Sequence, residues 1–328
     1  MRPDKKNSCI MTVDVEDYFE VGAFDGCLSR EAFSRFEPRL KRNVKRILDI
    51  LEDSGPDEKA TFFVLGGNAK KYPKVIREIH SRGHEIACHG HEHKSIYSLG
   101  ADKFRQHART AKSILEDITG DAVLGFRAPN FSVRRDSLWA LEILWEEGFL
   151  YDSSLFPVLH DRYGIPDAPR RPFYIPAGNG DLSILHSPPE YVSPSGIDKN
   201  MLVEFPLTTF RVLGRNIAVA GGGYLRLYPY RLTRWGIDRA YSEGIPLIIY
   251  LHPWEIDPGQ PRIKQAPRLS RFRHYTNLHK TESRLKLLLK DYAFDSFKRR
   301  WFDGMPACRM PGIAQTLGAP GLKGAETK

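Results

Sequence analysis

Two histidines four residues apart, His89 and His93, follow the short apolar run Ile86-Ala87-Cys88. One helical turn after that run would point both rings the same way, so that they could grip a single metal ion. Imidazole suits zinc and its first-row neighbours. The run Cys9-Ile10-Met11-Thr12-Val13 leads in the same manner into three carboxylates, Asp14, Glu16 and Asp17. Arg127 follows Val123-Leu124-Gly125-Phe126, Asp152 follows Leu150-Tyr151, and His252 follows Pro246-Leu247-Ile248-Ile249-Tyr250-Leu251.

These residue types make one parts list. Two imidazoles and a carboxylate can hold a divalent cation and leave positions open for water and a carbonyl. A further carboxylate can take the water's proton, and a histidine across the site can protonate a departing amine. An arginine beside the base carboxylate keeps it ionised. The chemistry is metal-assisted amide hydrolysis.

Such residues act together only if the fold brings strand ends to one place. The runs 9–15, 60–65, 85–88, 123–126, 150–151 and 246–251 read as buried parallel strands. Amphipathic helices are expected over 38–54, 102–119, 136–147, 229–243 and 281–289, many closed by glycine, with a further helix before Gly83 that Asn68 would cap. Strand–helix alternation of this kind argues for parallel βα units, whose polar ends share one face. It breaks in the proline-rich stretch 161–206, an expected irregular excursion with a candidate strand at 182–185. The glycine run 221–223 lacks the Lys-Ser/Thr of a phosphate loop. The stretch from Met305 reads as a disordered tail.

The chain has 328 residues and a net charge of +9. That excess permits an anionic partner, but no nucleic-acid motif accompanies it, and none is expected as partner. Four cysteines without a pairing pattern, no apolar leader and no membrane-length apolar run make the cytoplasm the expected location. His84 is expected at the surface, His91 near the ligand pair or exposed, and Cys88 in the core. Trp254 could stack on a sugar ring, and Tyr224 and Arg226 could line the cleft. The oligomeric state is not legible.

Five short motifs, in order, resemble the polysaccharide deacetylases with the NodB homology domain, carbohydrate esterase family four. They are Thr12-Val13-Asp14-Val15-Glu16-Asp17, the His89–His93 pair, Arg127-Ala128-Pro129, Tyr151-Asp152-Ser153-Ser154 and Leu251-His252. Asp14 to Phe19, Gly221 to Leu227 and Phe272 to Leu278 look like signatures of a subgroup encoded beside exosortase and exopolysaccharide clusters. The resemblance implies a distorted (β/α)7 barrel over about 9–256, an irregular insertion, a C-terminal extension over 257–304, and one divalent metal, zinc or else cobalt, nickel or iron. It implies N-deacetylation of a GlcNAc-like sugar in an exopolysaccharide or its precursor. Asp14 matches the general base, His89 and His93 the metal ligands, Arg127 the residue orienting the base, and His252 the general acid. Leu251 would line the pocket for the acetyl methyl, and Asp152 would serve the loops or His252. The family's metal aspartate directly follows its base, where this chain has Val15. The carboxylate ligand is then Glu16, if the strand continues, or Asp17, if it turns early. The rival readings are an allantoinase-like hydrolase on the same barrel and a carbohydrate-binding scaffold.

Overall fold

The computed structural model describes residues 9–24, 26–160, 163–175, 190–192, 197–198 and 200–303. Its strands are β1 (Cys9–Val15), β2 (Thr61–Val64), β3 (Glu85–Cys88), β4 (Gly125–Phe126), β5 (Tyr151–Asp152), β6 (Phe173–Ile175), β7 (Leu202–Glu204), β8 (Thr209–Val212), β9 (Arg215–Ala218) and β10 (Leu247–Leu251). The helices are α1 (Leu40–Ser54), α2 (Gly66–Lys71), α3 (Pro73–Ser81), α4 (Ile96–Leu99), α5 (Ala101–Thr119), α6 (Trp139–Glu146), α7 (Gly222–Leu227), α8 (Tyr230–Ser242), α9 (Arg268–Tyr275), α10 (Thr281–Asp291) and α11 (Phe297–Trp301). One curled sheet runs β10-β1-β2-β3-β4-β5-β7-β6, parallel throughout except for β6, with β8 and β9 as a separate hairpin. Seven parallel strands backed by helices make this a distorted (β/α)7 barrel.

Side-chain alternation sorts the core into two layers. Met11, Val13 and Val15 of β1, Phe62 and Val64 of β2, and Ile249 and Leu251 of β10 pack outward against the helices. Ile10, Phe63, Ala87, Ile248 and Tyr250 pack inward. Inward positions of β1 and β3 therefore run on into Asp14 and His89.

The base of the barrel is closed by the C-terminal segment. Asp295 pairs with β1 through Met11 N–H and its own N–H to Cys9 O, at 3.2 and 3.1 Å. The Phe297 ring enters the interior, with ring centroids 4.7 Å from Tyr151 and 4.8 Å from Phe205. Beside it the buried carboxyl of Glu85 accepts from Thr61 Oγ1, Tyr151 O–H and Lys298 N–H at 2.6, 2.9 and 2.8 Å.

Several local expectations change. Asn68 caps nothing; it lies inside α2, and its amide donates to Val15 O and Glu20 Oε2 at 3.2 and 2.9 Å. Tyr72 separates α2 from α3, which begins on Pro73, where a missing N–H is harmless. Residues 221–223 open helix α7. His84 is buried, because its ring accepts the Ala60 N–H at 3.2 Å, and burial pushes its pKa down to about 4. The candidate strand at 182–185 and the tail from Met305 lie outside the described residues.

Truncating Phe297→Ala empties the base of the barrel and is expected to cost about 3–5 kcal/mol in denaturant unfolding; a loss below about 1 kcal/mol would mean that the plug carries no weight. Asp152 and Glu204 face each other on β5 and β7. Burial raises both carboxyls, Asp152 to about 6 and Glu204 well above the usual range, the latter raised further by Asp152's charge. Folded values above unfolded ones mean that this stability is complete below about pH 4 and falls as pH rises through about 6 and beyond. Glu204→Gln should flatten that decline in urea titrations run across the same range; an unchanged slope would exclude the pair as its source.

Candidate active site

The β1 strand ends in a tight turn, with Glu16 N–H donating to Asp14 O at 3.0 Å. That turn returns Glu16 to the side of Asp14. The histidine pair is held differently from expectation. Residues 89–95 form no helix; the chain bends at Gly90, whose φ of +80° is one that glycine adopts without strain. His89 N–H donates to Val64 O and Gly66 N–H to Gly90 O, both at 2.9 Å, pinning the loop to the end of β2.

Glu16, His89 and His93 each offer one ligand atom, and these atoms lie within 4.8 Å of one another. Glu16 Oε2 is 2.8 Å from His93 Nε2. The Nδ1–H of His89 donates to Arg127 O at 2.8 Å, which leaves Nε2 as the coordinating nitrogen, an arrangement typical of metal-bound histidine. Burial lowers the His89 pKa to about 4, so the ring is neutral and ready to ligate. Burial alone would raise Glu16, but the facing His93, His252 and His89 outweigh it and hold the carboxyl down at about 2. One carboxylate and two imidazoles, converged and buried, fit a divalent first-row cation. Asp17 does not join them. Its carboxylate accepts the backbone N–H groups of Tyr18, Arg39 and Leu40 at 2.9, 2.7 and 3.1 Å and so caps the start of α1.

Asp14 lies beside this group, fixed by Arg127. The guanidinium is fully buried and donates to Asp14 Oδ1 and Thr12 Oγ1 at 2.8 and 2.6 Å, and to Ser153 O and Oγ at 3.0 Å each. Opposite stands His252. Its Nε2 is 3.2 Å from Glu16 Oε1 and 4.0 Å from Asp14 Oδ2, and its Nδ1 is 2.6 Å from Glu255 Oε1. Burial would lower the pKa of His252, but Glu16, Glu255 and Asp14 outweigh it and raise it to about 9. These three carboxylates thus favour the protonated ring.

These groups open on a cavity of about 230 Å³ lined also by Phe131, Tyr250, Trp254 and His274. His93 additionally borders a larger cavity of about 710 Å³ that carries Lys71, Lys94, Lys103, His91 and His107. His91 is half-buried there, away from the ligand atoms.

Three expected substrate contacts, Leu251, Asp152 and Tyr224, need correction. Leu251 points into the helix layer; Tyr250, one residue earlier and on the inward face, lines the cavity instead. Asp152 is fully buried and accepts from Ser154 N–H and Oγ at 3.1 and 2.7 Å, outside the cavity lining. Tyr224 also misses the lining and packs edge-on to Phe156. Arg226 reaches the lining, but its buried guanidinium serves Glu255, donating to Oε2 at 2.9 Å and to the carbonyls of His274 and Thr276 at 2.9 and 2.8 Å. Trp254 is stacked between His252 and His274, with centroids 5.2 and 4.0 Å away. Glu255 is the residue that sequence reasoning missed. The available signal was Pro253 followed by an acid three residues after His252, the pattern of a helix first turn.

Residues 26–144 match the family described as polysaccharide deacetylase, and residues 153–301 match a domain of unknown function, DUF3473. Over 129 residues the chain is 34% identical to the peptidoglycan deacetylase-like protein FGM2 of Gibberella zeae, covering 39% of this chain and 37% of that one. It therefore spans well under half of that relative's length. A solved Mycobacterium smegmatis protein assigned to the polysaccharide deacetylases superposes over 90% of both chains, with a TM-score of 0.54 at 22% identity. The Puue allantoinase superposes over 93% of both chains, with a TM-score of 0.50 at 20% identity. These two likenesses show the fold alone. Residues 26–144 are thus similar to the polysaccharide deacetylases, on a fold shared across nearly the whole chain.

The ligand assignment separates two neighbouring carboxylates. Glu16→Gln and His93→Ala should each weaken zinc binding at least about 100-fold in competition titrations, since each removes a direct ligand. Asp17→Ala should keep metal stoichiometry and instead cost about 0.5–2 kcal/mol of stability through the lost cap. Loss of metal in Asp17→Ala with retention in Glu16→Gln would reverse the assignment.

Proposed function

We propose that this chain is a metal-dependent hydrolase that removes N-acetyl groups from GlcNAc-like residues of a bacterial exopolysaccharide or its precursor. The observation that carries the reading is the convergence, on one cavity, of the Glu16–His89–His93 group with an arginine-held Asp14 on one side and a glutamate-held His252 on the other. The polysaccharide deacetylase match and the peptidoglycan deacetylase-like relative favour an N-acylated glycan over a small ureide. The larger cavity that shares His93 gives a polymer room beyond the reacting sugar.

A divalent cation, zinc by preference, held by Glu16, His89 and His93 would supply a Lewis acid and lower the pKa of a bound water. Asp14 accepts the proton of the attacking water, and Arg127 keeps that carboxylate aimed. His252, in its protonated form, donates from Nε2 to the departing amine nitrogen. Glu255 holds the opposite ring nitrogen, so the imidazole keeps both its orientation and its charge. Tyr250 and Trp254 form apolar wall against which an acetyl methyl can lie.

Purified protein given zinc should release acetate from N-acetylglucosamine oligomers and lose this activity to a chelator. Asp14→Asn should lower kcat about 10²–10⁴-fold with oligomer binding retained. Hydrolysis of allantoin without acetate release would replace the glycan reading, and oligomer binding without any turnover would make the protein a scaffold. Glu255→Gln is expected to lower kcat about 10–10²-fold with little change in KM, because it misplaces an acid without touching the sugar; an unchanged kcat would remove Glu255 from the machinery.

A further inference from the structure

The segment 258–281 carries six cations, Arg262, Lys264, Arg268, Arg271, Arg273 and Lys280, and no carboxylate. All six side chains are exposed. Much of the chain's excess charge of +9 is thus gathered on one short stretch. Helix α9 lies within it and exposes two large apolar side chains, Leu269 at 58% and Phe272 at 60%. They are three residues apart and so adjacent on the helix surface. The opposite face of α9 is fixed: Ser270 and His274 are buried, His274 stacks on Trp254 at 4.0 Å, and Ile263 and Ala266 anchor the preceding loop. Arg273 and His274 of this helix also line the catalytic cavity.

A rigid helix with an exposed apolar pair among cations is costly to leave in water and is matched by the interface of an anionic bilayer, where apolar side chains enter the acyl boundary and cations meet phosphate headgroups. A polyanionic glycan would satisfy the cations but leave Leu269 and Phe272 wet. A second copy of the chain would cover the apolar pair but set six cations against six. We propose that α9 and its basic flanks dock the protein on an anionic membrane surface, with the mouth of the catalytic cavity held beside the headgroups. Binding of this kind needs no turnover and stands or falls apart from the deacetylase reading.

The test is co-sedimentation of the full chain with phosphatidylglycerol–phosphatidylcholine vesicles and with phosphatidylcholine vesicles. Binding is expected to the anionic vesicles only and to weaken as salt is raised. Each cation near an anionic leaflet contributes about five-fold in partition, so Arg268→Gln/Arg271→Gln should lose about 25-fold. Leu269→Ser/Phe272→Ser should lose at least about ten-fold, while Lys74→Gln/Arg77→Gln on α3 keeps most of the binding. Far-UV circular dichroism and acetate release from soluble oligomers should be unchanged in all three variants. No binding to anionic vesicles, or equal losses in the α3 control, overturns the proposal. So does binding to polygalacturonate that ignores Leu269→Ser/Phe272→Ser, which would make the patch a polyanion site. So does a concentration-dependent dimer that the same substitution dissolves.

Discussion

A guanidinium without access to water must have its donors satisfied, or it costs several kcal/mol. Arg127 meets that demand by tying four strands together at one end of the barrel. Its side chain reaches Thr12 and Asp14 on β1 and Ser153 after β5. Its backbone N–H donates to Cys88 O on β3, and its carbonyl accepts from His89. Thr12 passes the connection on, donating to Ile249 O on β10. Asp14, His89 and the strand that leads into His252 are thus referenced to one buried cation. The Phe63 ring lies 4.1 Å below it and excludes water from underneath. Loss of Arg127 would leave Asp14 as a buried, unpaired charge, so its role in packing and its role in chemistry are not separable.

Much of this was legible because buried parallel strands announce themselves. An apolar run that stops at an acid or an imidazole marks both the element and the mouth of the barrel, and β1 and β3 begin and end where their residues said. What failed was parity and reach. Leu251 was one residue out of phase, and strand alternation sends it to the helices while Tyr250 turns inward. Asp17 carries as much charge as Glu16 in the sequence; only the turn after Val15 shows which one faces the histidines. Asn68 had the composition of a cap but was drawn to Val15 O by the adjacent strand end. Glu255 drew no reading from the sequence, because the Arg226 that holds it lies 29 residues away.

The stretch matched to a domain of unknown function is not an appendage to this site. Arg226, His252, Glu255 and His274 all lie within 153–301, as does the Phe297 plug at the opposite end of the barrel. The stretch matched to the deacetylase family supplies the ligand histidines and Arg127. Each half by itself would have an incomplete mouth and an exposed interior. Within the second stretch the His252–Trp254–His274 stack holds α9 against the cavity wall.

The substitution of valine for a carboxylate at position 15 has a physical logic of its own. Val15 is fully buried on the helix-facing side of β1, in the same apolar layer as Leu40 and Val44. A carboxylate at that point would be pressed into hydrocarbon with nothing to pair it, at a cost of several kcal/mol. Moving the acid one residue on places it after the strand, where the Glu16 N–H to Asp14 O turn swings it back toward the mouth. The side chain there is glutamate, whose extra methylene makes up reach that the turn has taken away, and its two oxygens separate to face His93 on one side and His252 on the other. A carboxylate therefore stands beside the two histidines in spite of the valine at position 15, because proximity in space is set by the turn and not by index in the chain.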